Sequence, residues 1–284
     1  MILLTGATGT TGKQVVDLLV QNGVQVRALV RDKTRATDLA LKGVELVEGS
    51  FENIEEMPHL FEGIERAFFL SGISDKQRDY EPRFYDMAKR SGIKHVVKQS
   101  AWVAEYPDGG YMAKTHSLGE GYLKASSLTY TIIRPNYFMQ NFVDFAPSIK
   151  EQGAVFLPVG VGRCGVIDIR DLAEVIAAVL TQEGHENKTY RLTGPDILTI
   201  EECCLKLAKG IGRPVHFQDI PLDDFKRTLM SFGQTEWFAE RIVELMNMVK
   251  EDTQAETTNT VEDVLKRPPR AFDEFVEDYA GNFR

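Results

Sequence analysis

The sequence predicts an α/β protein built on a doubly wound parallel sheet. Three observations carry that prediction. Short β-branched runs recur along the first half of the chain, helical patterns of roughly 10–15 residues separate them, and a glycine-rich turn joins the first run to the first helix. At 284 residues, 43% hydrophobic and 26% charged, the chain can bury a sizeable core without disulfide or metal staples.

Taken in order, Ile2–Thr5 reads as the first strand. Lys13–Gln21 then sets Val15, Val16, Leu18, Leu19 and Val20 on one broad helical face, and Asn22-Gly23 closes it. Further strands are expected at Val24–Val30, Val44–Val47, Ala67–Leu70, His95–Val97 and Tyr130–Ile133, the last ended by Arg134-Pro135. Helices are expected at Thr34–Leu41, at Arg78–Ser91 with Gly92 as its cap, and at Thr115–Ser126. Beyond Asn136 the rhythm changes. Extended segments at Ala154–Pro158, Gly165–Ile169 and Thr189–Leu192 alternate with helices at Leu172–Leu180, Ile200–Ala208, Leu222–Leu229 and Glu236–Val249. Glu251–Thr260 reads as a polar loop, and Val261–Tyr279 as two short helices across Pro268-Pro269. The expected organisation is a sheet domain over 1–135 and a smaller, mostly helical region over 136–284, with the chain crossing back to the main sheet.

The net charge of −9 speaks against nucleic acid or an anionic membrane as partner, since either calls for a basic face. Cys164, Cys203 and Cys204 form no CxxC pair, the N-terminal residues lack the pattern of a signal peptide, and no apolar run reaches bilayer length. A cytoplasmic protein is expected. The five histidines (His59, His95, His116, His185 and His216) show no ligand-like spacing, so no metal is expected.

The strongest chemical signal is Gly6-Ala7-Thr8-Gly9-Thr10-Thr11-Gly12, directly after a strand and opening a helix. Gly6 allows a sharp turn, Gly9 lets backbone approach a pyrophosphate, and Gly12 lets helix and strand pack closely. The helix N-terminus offers free N–H groups to phosphates, and Thr8, Thr10 and Thr11 add hydroxyl donors. A Rossmann-like NAD(P)-binding domain follows. At the tip of the second strand, where an acidic residue would bind the NAD ribose, stands Arg31-Asp32-Lys33. Arg31 and Lys33 suit the 2′-phosphate of NADP(H). A shift of one residue would put Asp32 at the ribose, so NAD(H) stays open.

The chain resembles the NmrA-like group of atypical short-chain dehydrogenases/reductases. The likeness rests on Thr5–Gly12, Val26–Arg31, Val47-Glu48-Gly49-Ser50-Phe51, His116 with Glu120, Ser126–Asn141 and Arg267-Pro268-Pro269-Arg270-Ala271-Phe272. It implies that Ser50 and Phe51 lie near the adenine, although Asp is more usual than Ser50 there, and that Ser100 carries a hydroxyl near the nicotinamide. Members of the group include NADPH-dependent quinone, azo-dye and triphenylmethane-dye reductases, and also dinucleotide-sensing regulators.

The superfamily's usual Tyr-x-x-x-Lys signature, in which Lys tunes a proton-donating Tyr, is absent. Tyr111 and Lys114 are three residues apart; with the Lys position at His116, the Tyr position falls on Met112. His116 is therefore expected to clamp the cofactor or donate a proton. Glu120, one turn later, would orient His116 or pair with Lys124. Gly119 and Gly121 each cost about 1 kcal/mol of helix propensity, reasonable where backbone or cofactor comes close. Lys114 is a further candidate for ribose or phosphate. Ser71 and Ser100 end the fourth and fifth strands, at the sheet edge where ligands bind in such folds. Trp102, Tyr137 and Phe138 would wall a flat apolar substrate, whereas Phe142 reads as core. The resemblance implies that Asn136 and Asn141 hydrogen-bond cofactor or substrate. The catalytic candidates are His116, Ser100 and Tyr137.

The expected function is hydride transfer from NAD(P)H to a planar conjugated acceptor, a quinone, azo compound or similar aromatic molecule, by a monomer or homodimer. Such acceptors need little general-acid help. The alternatives are a non-catalytic NADP(H) sensor and, third, a sugar-nucleotide epimerase, which would normally need the absent Tyr and Lys.

Overall fold

The computed structural model describes all residues from Met1 to Arg284. Its strands and helices run β1 (Ile2–Leu4), α1 (Thr10–Gln21), β2 (Val26–Val30), α2 (Thr37–Leu41), β3 (Glu45–Glu48), β4 (Arg66–Phe69), α3 (Gln77–Arg90), β5 (His95–Gln99), α4 (Tyr111–Ala125), β6 (Tyr130–Pro135), α5 (Asn141–Asp144), α6 (Ala146–Gln152), β7 (Ala154–Leu157), β8 (Arg163–Gly165), α7 (Ile169–Thr181), β9 (Lys188–Leu192), β10 (Ile197–Thr199), α8 (Ile200–Ile211), β11 (His216–Asp219), α9 (Leu222–Ser231), α10 (Glu236–Lys250), α11 (Thr260–Leu265) and α12 (Phe272–Phe283). Seven strands make the main sheet in the order β3-β2-β1-β4-β5-β6-β9. The first six pair in parallel. The order reverses between β1 and β4, the switch point at which doubly wound sheets open a crevice at their strand ends.

The chain forms two compact units: Met1–Ala101 with Thr115–Arg134 and Leu172–Tyr190, and Trp102–Lys114 with Pro135–Asp171 and Arg191–Arg284. The chain passes between the units after residue 134, near the expected boundary at 135, and also after 101, 114, 171 and 190. The segment 102–114 leaves the first unit early, and 172–190 returns to it. In the first unit, Leu3, Phe61, Phe69, Phe84, Tyr85, Val96 and Ile132 pack on one face of the sheet. In the second, Phe142, Leu157, Leu207, Phe272 and Phe275 form a separate core. That unit carries a parallel pair, β7 with β11, and an antiparallel pair, β8 with β10.

Gly165–Ile169 is not one extended segment. β8 stops at Gly165, and Asp168 turns the chain into α7 by accepting from the Arg170 N–H at 2.8 Å. Thr189–Leu192 lies within β9, the edge strand of the main sheet. The short strands β10 and β11 and the helices α5 and α6 have no counterpart in the sequence pattern. β11 is mostly exposed, so it lacks the buried alternation that would announce it. Around Pro268-Pro269, the Arg267 side chain at 2.7 Å and the Arg270 N–H at 2.7 Å both donate to the fully buried Asp171. No helix is long and apolar enough to cross a membrane.

Candidate active site

The glycine loop closes as its sequence requires. Gly6 has φ +67°, in the left-handed region that glycine tolerates, and a Cβ there would meet the Leu70 carbonyl oxygen at 3.0 Å. At Gly12 a Cβ would sit 2.1 Å from the Gly6 carbonyl oxygen, so no other residue fits. Gly9 is the N-cap of α1 and supplies no side chain to its first amides. Thr5 anchors the loop to the sheet: its hydroxyl donates to the Leu70 carbonyl at 2.9 Å and accepts from the Leu70 N–H at 2.8 Å. Thr8 and Thr10 are exposed, while Thr11 is buried.

At the tip of β2, Arg31 is exposed and its guanidinium has no protein partner. Asp32 is committed locally. Its carboxylate accepts from the Thr34 N–H at 2.8 Å and the Thr34 hydroxyl at 2.6 Å, which holds its pKa below the ordinary value. Lys33 is exposed, and its backbone N–H donates to Glu48. Past β3, Ser50 donates from both backbone and hydroxyl to Asn53 Oδ1, at 2.9 and 3.2 Å, and so acts as a turn former. Phe51 stacks on Tyr80 with centroids 5.2 Å apart. Tyr80 in turn donates to Glu52, whose carboxyl is held down to about 2, chiefly by that bond.

Buried polar atoms also stand just past β4, at the end of β5 and on α4. Ser71 Oγ, Gln99 Oε1 and His116 Nδ1 are buried atoms without a hydrogen-bond partner. Burial, with the nearby Lys98 charge, pushes the His116 imidazole down to about 3, so it is neutral at physiological pH and has no imidazolium proton to give. Glu120 does not orient His116. Its carboxylate accepts from Ser100 Oγ at 2.6 Å and from Arg134 Nε and Nη2 at 2.8 and 2.6 Å, with Lys124 Nζ at 3.5 Å. Burial alone would raise the Glu120 pKa, but the Arg134 and Ser100 bonds outweigh it and the net shift is downward. Gly119 makes room for neither cofactor nor loop: a Cβ there would lie 1.8 Å from Glu81 Oε2. Glu81 and Lys98 form a fully buried ion pair at 2.7 Å, and Gln77 and Tyr85 also donate to Glu81. Gly121 faces open space.

The substrate-side candidates belong to the second unit, and the structure revises several. Trp102 is 1% exposed, donates from Nε1 to the Thr253 carbonyl at 3.0 Å and carries the Arg191 guanidinium 3.9 Å over its ring. It is structural rather than an open wall. Asn136 commits its amide at both ends, donating to the Gln254 carbonyl at 3.0 Å and accepting from the Tyr137 N–H at 2.7 Å. Tyr137 is buried, and burial raises its phenol far above the ordinary value. Phe138 and Asn141 are half-buried, and Lys114 is exposed. Phe142 packs edge-on to Phe272 in the core, as expected. Burial pushes the Cys164 and Cys204 thiols up to about 12, leaving them unreactive. No group of three His, Cys, Asp or Glu side chains gathers as metal ligands would.

The NmrA-like family model matches residues 1–276. The chain belongs to the NmrA-like family. It is 34% identical to the NAD(P)H azoreductase of Xenophilus azovorans over 100% of this chain and 99% of that one. It is 28% identical to quinone oxidoreductase 2 of Escherichia coli (strain K12), covering 86% of each chain. The triphenylmethane reductase of Citrobacter sp., solved with NADP(H), superposes with a TM-score of 0.84 at 26% identity, covering 98% of this chain and 99% of that one.

The residues of this NmrA-like chain fit a dinucleotide. The glycine turn packs so tightly that a Cβ at Gly12 would strike the Gly6 and Ala7 backbone, which keeps the start of α1 close to the sheet, Gly9 caps that helix without a side chain, and orphaned polar atoms stand at Ser71, Gln99 and His116. Sequence reasoning missed the charged pairs beneath. Nothing in the pattern marks Glu81 and Lys98 as partners, since a Lys inside a strand and a Glu on a helix normally face water. Gly119 is the signal the sequence carries: its missing side chain leaves room for the Glu81 carboxylate.

Proposed function

We propose that this protein is an NADPH-dependent reductase of planar conjugated acceptors such as quinones and azo compounds. The observation that carries the cofactor half is the tip of β2, where Asp32 is bound up with Thr34 while Arg31 has no partner. A guanidinium left free beside a glycine cradle is suited to a 2′-phosphate, and Lys33 adds a second cation. The acceptor half is supported by azo-dye, quinone and triphenylmethane-dye reduction among the named relatives.

In this reading, the amides of the glycine loop and of the first turn of α1 hold the phosphates, with Thr8, Thr10 and Thr11 as hydroxyl donors. Phe51, stacked on Tyr80, offers an apolar shelf for the adenine. Ser71 and the neutral His116 each bring a polar atom in need of a partner. His116 thus clamps by hydrogen bonding rather than by acid catalysis. When bound, NADPH supplies hydride, the hard part of the chemistry. Phe138 and Asn141 are proposed as acceptor contacts.

The test is NADPH oxidation over a panel of quinones and azo dyes, followed by the loss of nicotinamide absorbance. Tight NADPH binding with no turnover across the panel would sink the reductase reading and leave a sensor. His116→Ala should weaken NADPH binding several-fold while single-turnover hydride transfer survives; a loss of about 10²–10⁴-fold in transfer would restore an acid role.

A further inference from the structure

The Ser100 hydroxyl has a definite polarity. Ser100 ends β5, its N–H donates to the Ile133 carbonyl at 2.7 Å, and its Oγ lies 2.6 Å from Glu120 Oε1. Glu120 is gripped from its other side by both arms of Arg134, at 2.8 and 2.6 Å, in the fork geometry of an ionised carboxylate. An ionised carboxylate only accepts, so the proton between the two oxygens belongs to Ser100. The lone pairs of Oγ are what remains for a ligand. Any group that binds there must donate.

The place of Ser100 in the sheet says which group that is. Arg31 ends β2 on one side of the glycine loop, while β4 and β5 lie on the other, each strand about 4.8 Å from the next. A dinucleotide held with its pyrophosphate at the loop and its 2′-phosphate at Arg31 would direct its nicotinamide half toward β4 and β5. That half carries donors in its carboxamide and its ribose hydroxyls. We propose that Glu120 is a positioning residue that fixes Ser100 as a hydrogen-bond acceptor, so that Ser100 recognises an N–H or O–H donor of the nicotinamide half and gives no proton to the substrate. This rests on the cofactor assignment above and deepens it. With no Tyr at the superfamily position, His116 neutral and the Ser100 proton held by Glu120, none of these three positions supplies the proton. The acceptor takes hydride at one end of its conjugated system, its oxygen or nitrogen collects the displaced electron pair, and water delivers the proton. Acceptors whose reduced anion is delocalised are served; simple ketones and aldehydes are not.

The experiment measures NADPH affinity by fluorescence, together with KM and kcat for a quinone, in Glu120→Gln, Ser100→Ala and the double variant. Each single change should raise the Kd and KM for NADPH about three- to tenfold, with kcat at saturating NADPH within about twofold. The double variant should lose no more than Ser100→Ala alone, because Glu120 acts through Ser100. A reduced cofactor analogue with a methyl ketone in place of the carboxamide separates the two donors. If the carboxamide is the partner, Ser100→Ala costs nothing with that analogue; if a ribose hydroxyl is, the cost persists. Losses that multiply in the double variant, or a fall in kcat with NADPH affinity unmoved, overturn the proposal. Equal drops in Tm with unchanged affinity also overturn it, by making the array purely structural. Where Glu120→Gln fails to fold, Ser100→Ala and the analogue decide alone. Wild-type protein that binds NADPH but reduces no quinone sinks the reductase reading only, since the affinity comparison stands without turnover.

Discussion

The two units treat their polar groups differently. In the first, the strand ends leave the Arg31 guanidinium, Ser71 Oγ, Gln99 Oε1 and His116 Nδ1 without protein partners. In the second, comparable groups are consumed internally. Asn136 and Trp102 bond to backbone carbonyls, Asp168 is held by Arg170 and Gln140, and Asp171 by Arg267 and Arg270. Its two orphaned nitrogens, Arg191 Nε and Arg241 Nε, belong to guanidinium groups paired with glutamates. Folding alone explains the second pattern. It does not explain the first, because unsatisfied buried groups cost stability unless something binds them.

The sharpest way to break this contrast is to orphan a group in the second unit. Asp171→Ala leaves Arg267 and Arg270 without their buried carboxylate and should cost roughly 3–5 kcal/mol of stability, read as a fall in the denaturant midpoint. A loss under about 1 kcal/mol would mean that the clasp around Pro268-Pro269 contributes little. In the first unit, Gly12→Ala forces a Cβ against the Gly6 carbonyl. NADPH affinity should drop about a hundredfold or more, near 3 kcal/mol; near-normal titration would show that the cradle is not where the phosphates sit.

A pH series sharpens the comparison at His95, whose Nδ1 is a further buried atom of the first unit without a partner, while its Nε2 lies 2.8 Å from Thr131 Oγ1. Burial holds the His95 imidazole down to about 4, against 6.5 when exposed. Its folded-state pKa is depressed, so between those values the unfolded chain binds the extra proton. Stability is unaffected above about pH 6.5 and should fall by about 2–3 kcal/mol on the way to pH 4. His95→Asn should remove most of that slope; an unchanged slope would place the titrating group elsewhere. The smallest effect is the most specific. Arg31→Ala should cost about 2 kcal/mol of NADPH affinity by calorimetry and leave NADH nearly untouched, whereas equal losses for both cofactors would point to a general role for the residue.

What could be read from the sequence follows from where the information lies. The first six strands and α1 announce themselves because each pairs a local pattern with a local stop, Asn22-Gly23 and Ser91-Gly92 among them. The glycine loop is legible because its need is backbone geometry, which only one residue type meets. Partners distant in sequence are not legible. Lys98 meets Glu81, and Trp102 meets Arg191 and Thr253, through tertiary packing that no spacing rule encodes. Trp102 and Tyr137 are buried where the sequence suggests a wall, because composition cannot distinguish a ring that lines a surface from one that fills a core.

Gly119 carries a consequence for how this sequence can change over time. Its missing side chain is the room into which the Glu81 carboxylate reaches to neutralise Lys98. Gly119→Ala, introduced first, would evict Glu81 and strand a cation inside the sheet. Removing Glu81 first strands the same cation, and removing Lys98 first strands the carboxylate. Each single step should cost roughly 3–5 kcal/mol. The three positions are therefore inherited together or exchanged together, and homologues should fall into two groups, with all three residues or with none.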